Sequence, residues 1–368
     1  MAPAPGPNPD RLHISGTLLP AEESVDLWVV DGLLREGPVA DATSIGSDGW
    51  ILTGLVDAHC HVGLDAGGAV DRATAEAQAL ADRDAGVLLI RDAGSPSDTR
   101  WVDDRPDLPR IVRAGRHIAR PKRYLRNFAD EIEPAELIAA VERQAAAGDG
   151  WVKLVGDWID RSLGDLAPLW PVELARAAID RAHQLGVRVT AHVFGEQATE
   201  ELINAGVDGI EHGTGLTDEL IAIMAERQIS LVPTMIQVSL FERFAAQGEE
   251  KFPAYAKHMR ALQAGHRSTM AAAWDAGVPI YAGTDAGGYQ PHGLIGTEIA
   301  RMADFCGAEG ALAAGSWRAR RWLGRSDRPE PGARADLVIY PADPRTDPSV
   351  LTGPRHVVAG GTHRFVGG

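Results

Sequence analysis

Residues 171–192 read PVELARAAIDRAHQLGVRVTAH and contain one complete unit of a pattern that recurs along the chain. Pro171 stands where a helix can begin, apolar residues then recur at every third or fourth position, and Gly186 follows where a helix can end. Residues 187–192 form a short apolar run that closes on a histidine, which is typical of a buried strand. This stretch therefore predicts a helix followed directly by a strand.

The same alternation extends over much of the sequence. Helices between successive strands place those strands parallel, and eight such strands over about 230 residues favour a closed barrel over an open sheet. We therefore predict an α/β protein whose centre is a (β/α)8 TIM barrel. The eight apolar runs that predict its strands are residues 55–61, 87–91, 110–114, 151–155, 187–192, 207–212, 229–233 and 278–284.

Both ends of the sequence differ from this central part, because they contain short β-prone pieces separated by turn residues. Chain ends often lie close together in space. We therefore predict that residues 10–53 and 327–368 pair as one small β-sandwich domain, beside a barrel of residues 54–326. Residues 1–9 are rich in proline and are predicted to be a disordered leader.

The composition excludes several classes of function. The 368 residues include 36 Lys and Arg against 51 Asp and Glu, and the net charge of −15 disfavours nucleic acid and anionic membranes as partners. Two cysteines, Cys60 and Cys306, are too few for a disulfide framework. Since the sequence shows neither a secretory signal nor a long apolar run, we predict a cytoplasmic protein. Its assembly into a homo-oligomer is left open.

Candidate metal ligands stand at the ends of four predicted strands. His59 and His61 are two residues apart, so a strand places both side chains on one face. His192, His212 and Asp285 each end or follow another strand. The reactive residues of a TIM barrel lie at the carboxyl ends of its strands, and a mixture of imidazole nitrogen and carboxylate oxygen suits Zn²⁺. The pattern predicts a metal centre at that end of the barrel.

Several stretches around these residues resemble the amidohydrolase superfamily, in particular its imidazolonepropionase-like and Xaa-Pro dipeptidase-like members. The resemblance extends from about residue 12 to the end of the sequence and implies a hydrolase of C–N bonds with a binuclear metal centre. The stretches that carry it are GLVDAHCH at 54–61, AGVDGIEHG at 205–213, LVPT at 231–234, GTD at 283–285 and PGARADLV at 331–338.

The resemblance also implies a role for each residue of the metal centre. His59, His61 and Asp285 would bind one divalent ion, and His192 and His212 would bind the other, with Zn²⁺ as the expected metal. A hydroxide that bridges the two ions would attack the substrate carbonyl. Asp285, the catalytic residue, would carry the proton of the hydroxide to the leaving amine.

Lys153 lies at the end of the predicted fourth strand, between the apolar residues Val152 and Leu154. An ammonium group beside two cations is repelled, and the resemblance implies that CO₂ carboxylates Lys153, so that the resulting carbamate bridges the two ions. A surface lysine whose stem packs along the strand end is the alternative.

Loops that follow the strands supply candidates for substrate contacts, because such loops surround the active site of a barrel. An arginine there could hold a substrate carboxylate. Ordinary solvated side chains are the alternative for each candidate. The remaining histidines, His117 among them, are assigned to the surface or the core. The candidates are Arg120, Tyr124, Trp158, Tyr289 and His292.

The predicted function is therefore hydrolysis of an amide, peptide or cyclic amide bond of a small substrate. Lactone or phosphotriester hydrolysis is the alternative, since the same metal pair activates water against those centres. A non-enzymatic scaffold would lack some of the ligands, and none is lacking. Dinucleotide binding is disfavoured, because the glycine pairs at 67–68 and 287–288 do not have the required spacing.

Overall fold

The computed structural model describes residues 8–367, and the chain there forms strands and helices joined mostly by short turns. The strands, numbered in chain order, are β1 (Asn8–Leu18), β2 (Glu23–Val30), β3 (Leu33–Arg35), β4 (Ala42–Leu52), β5 (Leu55–Cys60), β6 (Leu64–Asp65), β7 (Gly68–Ala69), β8 (Val87–Asp92), β9 (Arg110–Arg113), β10 (Ile118–Ala119), β11 (Asp130–Glu131), β12 (Trp151–Val155), β13 (Asp157–Asp160), β14 (Asp165–Pro168), β15 (Arg188–Val193), β16 (Gly209–His212), β17 (Ser230–Val232), β18 (Leu337–Tyr340), β19 (His356–Ala359) and β20 (Thr362–Phe365).

The helices vary widely in length. None of those in residues 8–367 is both long enough and apolar enough to cross a lipid bilayer. In chain order they are α1 (Arg72–Asp84), α2 (Leu137–Ala147), α3 (Val172–Gln184), α4 (Glu196–Ala205), α5 (Asp218–Arg227), α6 (Met235–Val238), α7 (Phe241–Gly248), α8 (Pro253–Asp275), α9 (Ile295–Ala314) and α10 (Trp317–Trp322), with short 3₁₀ helices at Arg100–Asp104, Pro134–Glu136 and Pro348–Thr352.

Two parallel sheets form the centre of the molecule. One has the strand order β5-β8-β9 and the other the order β11-β10-β12-β15-β16-β17. Helices α1 to α5 lie between successive strands of these sheets, which keeps the strands parallel. The α/β class predicted from the alternating runs is therefore confirmed.

Seven of the eight predicted central strands are present, but the run at 278–284 is not a strand. Its backbone still bonds to both sheets: the N–H of Leu231 donates to the Pro279 carbonyl at 2.9 Å, and the N–H of Ala58 donates to the Ala282 carbonyl at 2.8 Å. Proline has no N–H to donate, which interrupts a regular ladder here. The described residues thus form two sheets and not one closed sheet, and the barrel stays a prediction.

Segments from the two ends of the described chain share a third sheet, of order β20-β19-β18-β4-β1-β2-β3. In it β4 pairs antiparallel with β18, Leu52 opposite Val338. The described strands form one sheet, so the sandwich stays a prediction. The predicted leader lies outside the described residues, apart from Asn8 and Pro9, which begin β1. The apolar residues buried against this sheet include Leu12, Ile14, Val29, Ile51, Leu337 and Ile339.

Candidate active site

Three predicted ligand residues meet at the carboxyl end of β5. His59 lies in β5 and His61 follows it, and the alternation of the strand turns both imidazoles to the same side. Their Nε2 atoms lie 3.2 Å apart. Asp285 places its Oδ1 3.1 Å from each of them. Both histidines are buried, so this cluster is shielded from bulk water.

The Nδ1 atoms of these two imidazoles, which point away from Asp285, face oxygen atoms that can accept a hydrogen bond. His61 Nδ1 lies 2.6 Å from the Gly94 carbonyl oxygen, and His59 Nδ1 lies 2.8 Å from Glu211 Oε2. Because a carbonyl or carboxylate oxygen only accepts, each Nδ1 carries the proton and each Nε2 points a lone pair inward. Two lone pairs and a carboxylate oxygen at these distances repel one another unless a cation lies between them. The donor set therefore fits a metal ion.

Glu211 orients the His59 imidazole through its contact with Nδ1. Its carboxylate accepts from Arg91 at 2.5 Å and from the Thr190 hydroxyl. Burial alone would raise the pKa of Glu211, but the Arg91 guanidinium and the Lys153 side chain hold this pKa well below its usual range. No role was predicted for Glu211 from the sequence. A charged residue inside the apolar run 207–212 was the available signal.

A second pair of imidazoles stands beside the first. His192 ends the ladder of β15 with β12, His212 ends β16, and His192 Nδ1 lies 3.0 Å from His212 Nε2. His212 Nδ1 is 2.8 Å from the Thr234 hydroxyl oxygen. The His59 and His212 rings have centroids 5.3 Å apart, so the two pairs are adjacent. Burial lowers the pKa of both His192 and His212 well below the usual value, which keeps them neutral, as metal ligands must be.

Lys153 lies in the middle of β12 and is only 1% exposed, so it is not the surface lysine that the sequence left as an alternative. Burial lowers its pKa to about 8, although the neighbouring Glu211 raises it. Burial and the Lys153 charge together lower the pKa of His192. Both also oppose the net rise in the pKa of His59 that Asp285 and Glu211 cause, so the amine lies close to both imidazole pairs.

Backbone strain is concentrated at these strand ends. The backbone φ angles are 70° at His212, 45° at Thr234 and 58° at Asp285. Residues other than glycine seldom adopt this left-handed region. The N–H of Asp285 donates to the His59 carbonyl at 2.7 Å, which holds the turned chain against β5. The strained backbone aims the Asp285 carboxylate at the two histidines.

A cavity of about 260 Å³ opens directly beside the cluster and has His61, His192 and Asp285 in its wall. Three of the five predicted substrate residues line it, namely Tyr124, Trp158 and Tyr289. Other lining side chains are mostly apolar or aromatic, among them Leu64, Leu125, Phe128, Phe194, Phe244 and Tyr255.

His117, which the sequence predicts to be a surface or core residue, also lines this cavity. Its ring stacks on His61 with centroids 5.2 Å apart and an interplanar angle of 4°. Within the described part of the chain neither ring nitrogen has a hydrogen-bond partner, although both are buried. Burial lowers the pKa of His117 well below the usual value, so it faces the cavity as a neutral donor and acceptor.

The amino-acid sequence matches a known protein family. Residues 50–362 match the model of the amidohydrolase family. The chain belongs to this family. An uncharacterized protein of Mycobacterium tuberculosis (strain ATCC 25618 / H37Rv) is 55% identical to this amidohydrolase over 356 residues, which cover 95% of each chain.

Solved structures of hydrolases share the fold of this amidohydrolase. A Xaa-Pro dipeptidase with bound methionine is 22% identical, has a TM-score of 0.79, and is matched over 96% of this chain and 100% of its own. A prolidase complexed with N-methylphosphonate-L-proline is 20% identical, also with a TM-score of 0.79, over 96% and 99% of the two chains. The predicted superfamily is confirmed, and the fold agrees with its Xaa-Pro dipeptidase-like branch.

Two predicted substrate residues of the amidohydrolase lie away from the cavity. Arg120 is not part of its lining. His292 is turned away, with Nδ1 2.8 Å from Asp82 Oδ2 in α1, and the N–H of Gly293 donates to Asp82 Oδ1 at the same distance. The buried Asp82 carboxylate draws the imidazole inward, so His292 anchors the glycine-rich loop that carries Tyr289 and does not face the substrate.

Proposed function

We propose that this protein is a metal-dependent amidohydrolase that cleaves an amide, peptide or cyclic amide C–N bond of a small molecule, and that its two parallel sheets belong to one TIM barrel. The observation that carries the function is the convergence of the lone-pair nitrogens of His59 and His61 on Asp285. Family membership supports hydrolysis, and the adjacent cavity offers room for a small substrate.

We infer that this site binds two divalent ions. His59, His61 and Asp285 would hold one, and His192 and His212 the other, with Zn²⁺ as the ion that this donor set favours. When bound, the ions supply Lewis-acid activation of a water molecule and of the substrate carbonyl. Glu211 and the Gly94 carbonyl oxygen fix the two imidazoles of the first pair, which keeps their ligand atoms aimed inward.

Asp285 is the proton carrier in this proposal. Its carboxylate accepts a proton from the attacking water, whose oxygen forms a bond to the carbonyl carbon. The carboxylate then gives the proton to the amide nitrogen as the C–N bond breaks, which releases a carboxylic acid and an amine. An amine leaves poorly without that proton, so a carboxylate that touches the reacting atoms is required for this bond.

A panel of substrates tests the function. With Zn²⁺-loaded protein we expect hydrolysis of at least one anilide, X-Pro dipeptide or N-acyl amino acid, with kcat/KM above that for lactones and phosphotriesters by ~10-fold or more. Product amine and acid are measured by chromatography. Dominant turnover of a lactone or a phosphotriester would replace the proposal by its alternative.

Lys153 is the residue that we propose to be carboxylated. It is buried beside both imidazole pairs, and the neutral amine that reacts with CO₂ is the form that burial favours. The carbamate would offer one oxygen to each ion and so join the two halves of the site.

The carbamate is tested with Lys153→Ala. We expect this variant to lose at least ~100-fold in kcat/KM, because an inner ligand is removed, and acetate or propionate to restore part of the activity from the vacated space. Lys257→Ala, at an exposed position of α8, is the control and should remain fully active. Carbon-13 NMR of protein prepared with labelled bicarbonate should show a carbamate signal that Lys153→Ala lacks. A fully active Lys153→Ala would contradict the bridge.

The cytoplasmic location stays a prediction from the sequence, which allows either a monomer or a homo-oligomer.

A further inference from the structure

We propose that the cavity beside the metal ligands takes an uncharged, aromatic part of the substrate and selects against substrates that carry a carboxylate there. This inference rests on the proposed function and names the substrate class of the same site. It follows from the side chains that line the cavity, since the described lining residues include neither Lys nor Arg.

Aromatic rings form two edge-to-face pairs in these walls. Tyr124 and Trp158 have ring centroids 4.9 Å apart. Phe244 and Tyr289 have centroids 5.4 Å apart, and Tyr289 is 43% exposed. Edge-to-face contacts with such rings favour a flat aromatic group over an aliphatic one of similar size.

The polar groups of the lining are nearly all uncharged. Burial raises the pKa of Tyr124 far above its usual value and that of Tyr255 to about 12, so both phenols keep their protons. Gln237 and Gln247 are the amides of the lining. Among the described residues that line this cavity there is no Lys or Arg, and Asp285 is the only carboxylate.

Two arginines that contact residues of these walls are paired outside the cavity. Arg123 donates to Asp160 Oδ2 at 2.7 Å and to the backbone carbonyls of Trp158 and Ala167 at 3.3 and 3.1 Å. Arg116 donates to the Phe128 carbonyl at 2.9 Å. Arg120 has a buried Nε without a hydrogen-bond partner among the described residues, but like the other two it is not part of the lining.

A substrate carboxylate in this cavity would thus lose water without gaining a cationic side chain. An unpaired buried charge is strongly unfavourable, whereas a neutral aromatic group gains apolar contact and can bond to His117, Gln237 or a phenol. The charge of the cavity, more than its size, therefore separates the two kinds of substrate.

Matched substrates that differ in charge but hardly in shape test this inference. We expect Zn²⁺-loaded protein to cleave 4-acetamidobenzamide with a kcat/KM at least ~10-fold above that for 4-acetamidobenzoate, and Phe-Pro-amide above Phe-Pro by a similar factor. Equal or faster cleavage of the carboxylates would overturn the inference while leaving the proposed function intact.

Binding supplies a second measurement that does not need turnover. Trp158 lines the cavity, so a ligand that binds there should quench part of the tryptophan fluorescence. The variant Trp158→Phe should lack this quenched part. We expect benzamide to produce the quenching at a concentration at least ~10-fold below the concentration of benzoate that is needed. Tighter binding of benzoate would overturn the inference. If no C–N bond is cleaved in any substrate, the proposed function fails, and this titration still decides the preference.

A cation placed in the cavity wall should reverse the selection. For the variant Gln247→Arg we expect the kcat/KM for 4-acetamidobenzoate, divided by that for 4-acetamidobenzamide, to rise ~10-fold. The reason is that the new guanidinium can form a charge-assisted hydrogen bond to the substrate carboxylate. Gln197→Arg, which adds the same charge on the exposed face of α4 outside the cavity, should leave the ratio unchanged. An unchanged ratio in Gln247→Arg would show that cavity charge does not set the preference.

Discussion

Removing the metal ions with a chelator is expected to lower kcat/KM on an amide by at least ~10³-fold, because Lewis-acid activation contributes several kcal/mol to such reactions. Neutral imidazoles and a carboxylate do not ionise water at neutral pH by themselves. Dialysis against 1,10-phenanthroline, followed by elemental analysis, should take the protein from two ions per chain to none. Adding Zn²⁺ should restore the activity and raise the melting temperature, since an ion that binds only the folded chain stabilises it.

Single-residue variants separate loss of metal from loss of fold. His59→Ala should retain fewer ions and have no measurable activity, yet keep its circular dichroism spectrum. His183→Ala is the matched control, because His183 is a surface residue of α3 and is not a predicted metal ligand. Its Nε2 pairs with Asp208 Oδ2 at 2.8 Å. At most one ion per chain after loading with metal and bicarbonate would contradict the binuclear centre. Full activity of the metal-free protein would contradict any metal dependence.

Asp285→Asn is expected to lower kcat/KM on an anilide by ~10²–10⁴-fold and to have a much smaller effect on an activated ester. The amide of Asn keeps an oxygen near His59 and His61 but cannot accept and return a proton. An amine needs that proton to leave, whereas 4-nitrophenoxide leaves without it. Steady-state kinetics on 4-nitroacetanilide and 4-nitrophenyl acetate, which give the same acetyl group to water, measure the difference.

The metal content of Asp285→Asn must be measured alongside its kinetics. Two ions per chain with a loss restricted to the anilide would assign the proton transfer to Asp285. Equal losses on both substrates would instead give Asp285 a role in holding metal only. In either case the comparison is made within one variant, so a general defect in folding cannot produce the selective result.

The convergence of the candidate metal ligands could be predicted because periodicity alone determines which side of a strand a residue faces. His59 and His61 share a side by the two-residue repeat, and His192 and His212 end neighbouring strands of one parallel sheet. In such a sheet the carboxyl ends of strands meet at one edge, so residues distant in sequence come together without any knowledge of loop structure.

Residues placed by tertiary contacts could not be predicted in this way. His292 faces Asp82 because a helix from another part of the chain offers a buried carboxylate, and nothing near residue 292 in sequence indicates this. His117 reaches the cavity by stacking on His61. The run at 278–284 has the composition of a strand, but its pairing is interrupted at Pro279, where the backbone has no N–H to donate. The local sequence pattern therefore predicts which residues lie at strand ends. The positions of His117, His292 and the run at 278–284 depend on contacts between distant segments.

The pairing of β4 with β18 has a consequence for how the chain is made. Strands β1 to β4 leave the ribosome before the two parallel sheets, and β18, the partner of β4, follows only after those sheets have been synthesised. Until then one edge of β4 lacks its neighbour, and an open strand edge is a template on which another nascent chain can add. A fragment that stops before Leu337 keeps this edge open permanently, so incomplete synthesis exposes the protein to aggregation through its N-terminal sheet.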